Sequence, residues 1–172
     1  RHTRLQGDWS SDVCSSDLLL YEDPHNFTLN SSSFKAGERI AEMGACINCH
    51  FYGAEKPKQD ALTWAPNLVL TKERLRPEWL VEWFINPQDV MPGTKMPAPY
   101  IPTEEPQNSI REVWGSDVAK ISRDSTKLYK SLIDWMWGME GRKDVSSIVK
   151  RHLNSQGYGF IIEEEDDWGD EW

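Results

Sequence analysis

The sequence predicts an all-α fold of three or four helices joined by long loops. Apolar residues recur at spacings of three and four in several segments, which is the helical pattern. Prolines and glycines interrupt the stretches between those segments, and we find no internal repeat. The chain of 172 residues has room for one compact core with appendages. A single helical domain is therefore expected.

Three helices account for the predicted core. The first follows the N-capping serines 31–33 and runs into Cys46. The second has Pro77 in its first turn and stops before Pro87, and the third spans roughly Asp124–Met139. The apolar faces of the second and third helices are formed by Leu80, Val81, Phe84 and Ile85 and by Leu128, Leu132, Trp135 and Met136.

Long irregular segments separate and follow these helices. Residues 52–70 contain Gly and Pro but few periodic apolar positions, and residues 91–102 contain four prolines, so both are predicted as loops. Residues 103–122 are polar and weakly patterned, and no helix is predicted there. Residues 145–153 predict a short amphipathic helix, and residues 158–162 a strand or an extended strap.

Most of the net charge of −9 lies near the end of the chain. Residues 153–172 contain no Lys or Arg and seven acids: Glu163, Glu164, Glu165, Asp166, Asp167, Asp170 and Glu171. Residues 1–18 carry a further −1, which leaves about −1 for residues 19–152. The predicted folded body therefore gives no electrostatic reason to expect a nucleic-acid partner.

The beginning of the chain is set apart from the fold. Residues 8–18 resemble the translation of a sequencing adapter, so Cys14 is left out of the cysteine count. A membrane tether or an upstream domain lost by truncation is compatible with this start, although no stretch approaches the roughly 20 apolar residues of a membrane span. The predicted organisation is an artefactual or unstructured leader (1–18), a linker (19–32), the main domain (33–140), and an extension with a short helix and an acidic tail (141–172).

Residues 46–50 form a C-x-x-C-H motif, which is the signature of covalent haem attachment. Cys46 and Cys49 near a helix end share one face, so both sulfurs can reach the vinyl groups of one porphyrin while His50 turns toward the iron. A thioredoxin-like redox pair would require cysteines at the start of a helix in a βαβ unit. A structural zinc site needs four ligands, and the only spare candidates are His25 and His152. One covalently bound haem c is the predicted cofactor.

A second axial ligand to the iron is sought among the methionines downstream. A methionine thioether raises the reduction potential relative to a second histidine. Met136 lies on an apolar helical face and Met139 near a helix end, so neither is a good candidate. Met96 lies in the Pro-rich loop, where a stiff extended backbone can hold one sulfur over a flat cofactor. Met96 is therefore the predicted ligand, with Met91 as its rival.

Several further motifs surround the predicted iron ligands His50 and Met96 in the sequence. They are Gly37, Ala65-Pro66-Asn67-Leu68, Arg74-Leu75-Arg76-Pro77-Glu78-Trp79-Leu80 with Trp83 and Asn86-Pro87, and Pro92-Gly93-Thr94-Lys95-Met96-Pro97. Together with the C-x-x-C-H motif they resemble the class I c-type cytochromes of the shorter bacterial type. The resemblance covers residues 33–140, and the 46-residue interval from His50 to Met96 fits the short members of that family.

The resemblance implies roles for particular residues. His50 would be the proximal ligand, oriented by the backbone carbonyl of Pro66, and Met96 would be the distal ligand. The last helix of the domain would pack across the first. The neighbours that would contact the haem propionates or form the haem wall are Arg74, Arg76, Trp79 and Trp83.

The predicted function is single-electron transfer between redox partner proteins rather than enzymatic catalysis. The resemblance implies a bacterial protein that is periplasmic or otherwise exported, with a possible membrane association, because haem is attached covalently outside the cytoplasmic membrane. Two alternatives stay open. The chain could be the haem domain of a larger oxidoreductase or respiratory-complex subunit, or a haem-based sensor in which Met96 is displaced.

Overall fold

The computed structural model of the protein describes residues 25–159, and within this range it is all-α. No β-strand forms among these residues, although isolated bridges pair His50 with Ala65 and Tyr52 with Glu55. The described residues also include no helix that is long and apolar enough to cross a membrane. The predicted fold class is thereby confirmed at the level of helical content.

The described residues form eight α-helices and three short 3₁₀ turns, which are joined by loops. The helices are α1 (Ser32–Met43), α2 (Thr71–Arg74), α3 (Pro77–Ile85), α4 (Pro87–Val90), α5 (Gln107–Val113), α6 (Ser116–Ile121), α7 (Ser125–Trp137) and α8 (Ser146–Ser155). The 3₁₀ turns are Cys46–Asn48, Ala61–Thr63 and Leu68–Leu70. The four longest helices, α1, α3, α7 and α8, correspond to the predicted ones. The expected number of three or four helices is too low because four short helices were not foreseen.

The core is centred on the crossing of α1 and α7. Ser31 caps α1 by accepting a hydrogen bond from the backbone N–H of Phe34, and Asp124 caps α7 in the same way through Lys127. At the crossing, a Cβ atom added to Gly37 would lie 1.8 Å from the backbone oxygen of Ser131. Only glycine permits this approach, so the two backbones are in direct contact.

Helix α3 packs its inner face against α7 but is only partly buried. Leu80 and Phe84 are buried, whereas Ile85 is exposed. The prediction that Ile85 belongs to the apolar face is therefore wrong, because the helix ends at this residue and turns it to solvent. Pro77 occupies the first turn and Pro87 begins α4, as the restricted backbone of proline favours.

Residues 103–122 are more ordered than their sequence predicts. They form α5 and α6, which are separated by Gly115 with a positive φ of 90°. Ile110, Trp114 and Val118 from these helices are buried in the core next to α1. The expectation of an unpatterned segment is wrong, because three apolar residues spaced by four suffice to hold two short helices against the core.

The segment that follows α7 packs back onto the loop of residues 52–70. The backbone of Gly141 touches that of Gly53, and Lys143 forms an ion pair with Glu73. The ring of His152 in α8 lies over Trp64, with 4.6 Å between the ring centroids. The predicted amphipathic helix is thus present as α8. Of the predicted strap at residues 158–162, only 158 and 159 are described, without regular structure, and the acidic tail lies outside the described residues.

Candidate functional site

The two cysteines of the C-x-x-C-H motif lie just beyond α1 rather than at its end. The helix stops at Met43, and Ala45 adopts a left-handed conformation with φ 52° before the 3₁₀ turn Cys46–Asn48 begins. This left-handed conformation is uncommon for a residue with a Cβ atom, and it changes the direction of the chain. The expected continuous run of the helix into Cys46 is therefore replaced by a sharp turn that sets the cysteines apart from the helix axis.

Both cysteines carry free thiols and are half-buried. Burial raises the pKa of the Cys46 thiol, and Tyr52 is its side-chain hydrogen-bond partner. The sulfur of Cys49 lies 3.6 Å from the amide oxygen of Gln59. Backbone bonds also draw this loop inward, since the N–H of Gln59 donates to the carbonyl of Asn48. Both thiols therefore lie next to the loop that follows the motif, and the pKa of Cys46 is raised above its ordinary value.

His50 is held by the backbone of the same loop. Its Nδ1 lies 2.8 Å from the carbonyl oxygen of Pro66, and the N–H of Ala65 donates to the carbonyl of Cys49 over 2.7 Å. Burial lowers the pKa of His50, while the Pro66 carbonyl acts in the opposite direction. A neutral imidazole with its proton on Nδ1 satisfies this carbonyl and leaves a lone pair on Nε2, which has no hydrogen-bond partner within residues 25–159.

Asn67 closes the loop beside Pro66 and was not singled out by sequence reasoning. Its side chain is buried, accepts hydrogen bonds from the backbone N–H groups of Gly53 and Val69, and donates to the carbonyl of Arg142 over 2.7 Å. A weaker contact of 3.4 Å reaches the carbonyl of Gly53. The local sequence does not predict this role, because the hydrogen-bond partner Arg142 lies 75 positions away from Asn67. Asn67 connects the His50 loop to the C-terminal segment.

Met96 lies in the Pro-rich loop and faces the protein. Its sulfur lies 2.9 Å from the indole Nε1 of Trp83, and the ring of Trp83 stacks on Trp79 with 5.1 Å between centroids and 14° between planes. Met96 is half-buried against the core, whereas Met91 is 55% exposed. The structure thus brings Met96, Trp83 and Trp79 together and leaves Met91 at the surface.

The predicted arginines do not join these residues. Arg74 ends α2 and Arg76 is the N-cap residue of α3, and both side chains are exposed. Within the described part of the chain, no hydrogen bond connects Arg74 to His50 or Met96. The predicted role of Arg74 and Arg76 as haem neighbours stays a prediction.

The chemistry of the described residues does not favour a bare metal ion. Among residues 25–159, no three His, Cys, Asp or Glu side chains converge closely enough to hold one. Cys46, Cys49 and His50 are therefore not arranged as three ligands of a common ion. The candidate site presents two free thiols, one imidazole nitrogen without a hydrogen-bond partner in residues 25–159, and one thioether sulfur.

Comparisons with known proteins returned no match. No family model matches the chain, and no curated protein or solved structure matches it either.

Proposed function

We propose that this chain is a monohaem c-type cytochrome with a class I cytochrome c fold, which carries single electrons between redox partner proteins. The observation that carries the proposal is the state of His50 within the C-x-x-C-H motif. The Pro66 carbonyl binds Nδ1 over 2.8 Å, so the imidazole is oriented and its Nε2 lone pair is left for a metal.

The donor set fits haem c better than it fits other cofactors. The free thiols of Cys46 and Cys49 could each add across one vinyl group of the porphyrin, S–H across C=C, to give two thioether bonds. A neutral imidazole and a thioether are the axial pair of electron-transfer cytochromes, and His50 and Met96 supply them. Half-buried Leu68, Trp79 and Trp83 offer apolar walls that a flat cofactor would cover.

The residues of this chain have separate tasks in the proposal. His50 binds with one nitrogen while Pro66 fixes the direction of the ring, and Asn67 anchors the backbone next to Pro66. Met96 would bind through its sulfur, which lies 2.9 Å from the indole Nε1 of Trp83. When bound, haem would supply an iron that changes oxidation state by one electron at a time. Because His50 and Met96 would both hold the iron, we propose electron transfer without a substrate-binding position or an enzymatic activity.

The redox partners are proposed to be proteins that meet this domain through a small and short-lived interface, as rapid exchange of electrons requires. Because haem is attached covalently outside the cytoplasmic membrane, we also propose a periplasmic or otherwise exported location. Neither proposal depends on where the given chain begins.

The test is the absorption spectrum of the protein expressed in a periplasm with haem-attachment machinery. We expect haem that stays bound on denaturing gels and a weak near-infrared sulfur-to-iron band in the oxidised form. Met96→Ala should abolish this band, whereas the matched variant Met91→Ala should retain it, because only Met96 faces the protein.

Each other outcome would count against a defined part of the proposal. A band that survives in Met96→Ala and disappears in Met91→Ala would move the ligand to Met91. Carbon monoxide binding to the reduced parent at neutral pH would instead favour a sensor. The absence of covalent haem from the parent, in a strain that loads a control cytochrome, would overturn the proposed function.

A further inference from the structure

A cationic depression lies on the side of the molecule formed by α8. It has a volume of about 290 Å³ and is lined by Lys56, Ile148, Arg151, His152 and Ser155. We call it the α8 depression. None of its lining residues has a role in the proposed haem site, so the proposed function does not explain its positive charge.

The two permanent cations of the α8 depression have no carboxylate partner in the described residues. Lys120, Lys127 and Lys143 each form an ion pair, but Lys56 and Arg151 form none within residues 25–159. Two cations that face one depression repel each other unless an anion lies between them. The α8 depression is therefore electrostatically suited to carboxylates.

Packing fixes the position of His152, which also lines the α8 depression. The ring of His152 packs against Trp64 in a tilted arrangement, with 49° between the ring planes, and the backbone carbonyl of His152 accepts a hydrogen bond from the Ser155 hydroxyl over 2.6 Å. Asp144 accepts a hydrogen bond from the N–H of Ser146 at the start of α8 and forms no ion pair with Lys56 or Arg151 within residues 25–159. An acidic segment that binds in the α8 depression could therefore form ion pairs with Lys56 and Arg151.

The chain leaves α8 through a turn that ends the helix. The N–H of Gly157 donates to the carbonyl of Asn154, and the N–H of Tyr158 donates to that of Leu153. Gly157 has a φ of +93°, so this is a glycine-terminated helix end that directs the chain away from the helix axis. By sequence, seven acids follow between positions 163 and 171.

We propose that the acidic segment 163–171 of this same chain binds the α8 depression through its carboxylates. Glu163 lies eight positions after Ser155, a span of up to about 26 Å when extended, which is ample for a return to Arg151 one turn earlier. The covalent connection gives the segment a high effective concentration at the site.

Zero-length cross-linking of the full chain with a carbodiimide tests this proposal. The reagent activates a carboxylate, the Lys56 amine attacks it, and an amide forms with net loss of one water. We expect mass spectrometry to find Lys56 joined to acids of segment 163–171 within one chain. The yield should fall at 1 M salt, where the screening length is about 3 Å.

Variants decide whether the α8 depression is responsible. Arg151→Glu keeps the Lys56 amine and all the acids but should lower the yield about fivefold, and Arg151→Gln should lower it less. Lys130→Glu makes the same change in net charge at an exposed lysine of α7 and should leave the yield unaltered. Circular dichroism would verify that each variant is folded.

Two results would overturn the proposal. One is a yield that is equal in Arg151→Glu and Lys130→Glu, since the segment would then be reacting without the depression. The other is cross-linking between labelled and unlabelled chains in an equal mixture, which would make the occupant a second copy. Both results leave the haem proposal untouched, because the measurement does not depend on bound haem.

Discussion

The α1–α7 crossing and the loops that carry the candidate site are built by different means. At the crossing, Gly37 lets two helix backbones touch, and the residues around it, such as Ile40 and Leu128, are fully buried. Around the site, Cys46 and Met96 remain half-buried, and the chain is held by hydrogen bonds to its own backbone. Residues of this chain bury the crossing fully, whereas the loops orient their thiol and thioether groups but leave them half-exposed.

This difference shows how one small domain separates stability from function. Close packing of apolar side chains supplies most of the folding free energy, and that packing is concentrated at the helices. The loops contribute orientation: the Pro66 carbonyl fixes His50, and Asn67 fixes the backbone beside it. Substitutions at the two regions should therefore have different signatures.

The largest effect is expected at the crossing. Gly37→Ala places a methyl group 1.8 Å from the Ser131 carbonyl, so α1 and α7 must move apart. We expect a loss of about 3 kcal/mol or more in the free energy of unfolding, despite the higher helix propensity of alanine. Urea unfolding followed by circular dichroism measures it. Glu38→Ala, at the exposed neighbouring position, is the control, and equal midpoints for the two variants would contradict the described crossing.

A smaller effect is expected at the loop anchor. Asn67→Ala leaves the backbone N–H of Gly53 and the carbonyl of Arg142 without their partner, which should cost about 2 kcal/mol. Its distinctive sign is faster hydrogen exchange at the Gly53 amide, measured by nuclear magnetic resonance. Asn108→Ala, an exposed asparagine of α5, should leave that exchange unchanged. Unaltered Gly53 exchange in Asn67→Ala would mean that the anchor does not hold the loop.

The smallest effect is expected at Trp83 and rests on the proposed haem. Trp83→Phe keeps an aromatic ring but removes the N–H that lies 2.9 Å from the Met96 sulfur. Without this donor the sulfur is a better ligand for the oxidised iron, so the reduction potential should fall by a few tens of millivolts. Trp79→Phe is the matched control, because its ring stacks on Trp83 without contacting the sulfur. Equal potentials for both variants would show that Trp83 acts only as packing.

The helices that the sequence predicts best are those with a capping residue and a long apolar face. Ser31 and Asp124 mark the starts of α1 and α7, and Pro77 marks that of α3. Helices α5 and α6 are shorter than two full turns each, so periodicity alone does not reveal them. The signal that would have found them is the spacing of four that relates Ile110, Trp114 and Val118.

The candidate site is predictable to the extent that its residues are close in sequence. The C-x-x-C-H motif and the preference for Met96 over Met91 follow from local chemistry and from the Pro-rich loop. The contacts that join distant segments do not, because hydrogen-bond partners such as Asn67 and Arg142 have no shared local pattern. A motif gives the identity of a residue but not the direction of its side chain, so the exposure of Arg74 could not be read from its motif.

The contact between Asn67 and Arg142 also imposes an order of events on biosynthesis. During translation, residues 46–50 emerge 92 positions ahead of Arg142, so the loop around His50 is made long before its last backbone partner exists. Until Arg142 is available, the two thiols belong to a loop without its final anchor. Closure by the C-terminal segment then comes as a late folding step, with the slow kinetics typical of contacts between residues far apart in sequence.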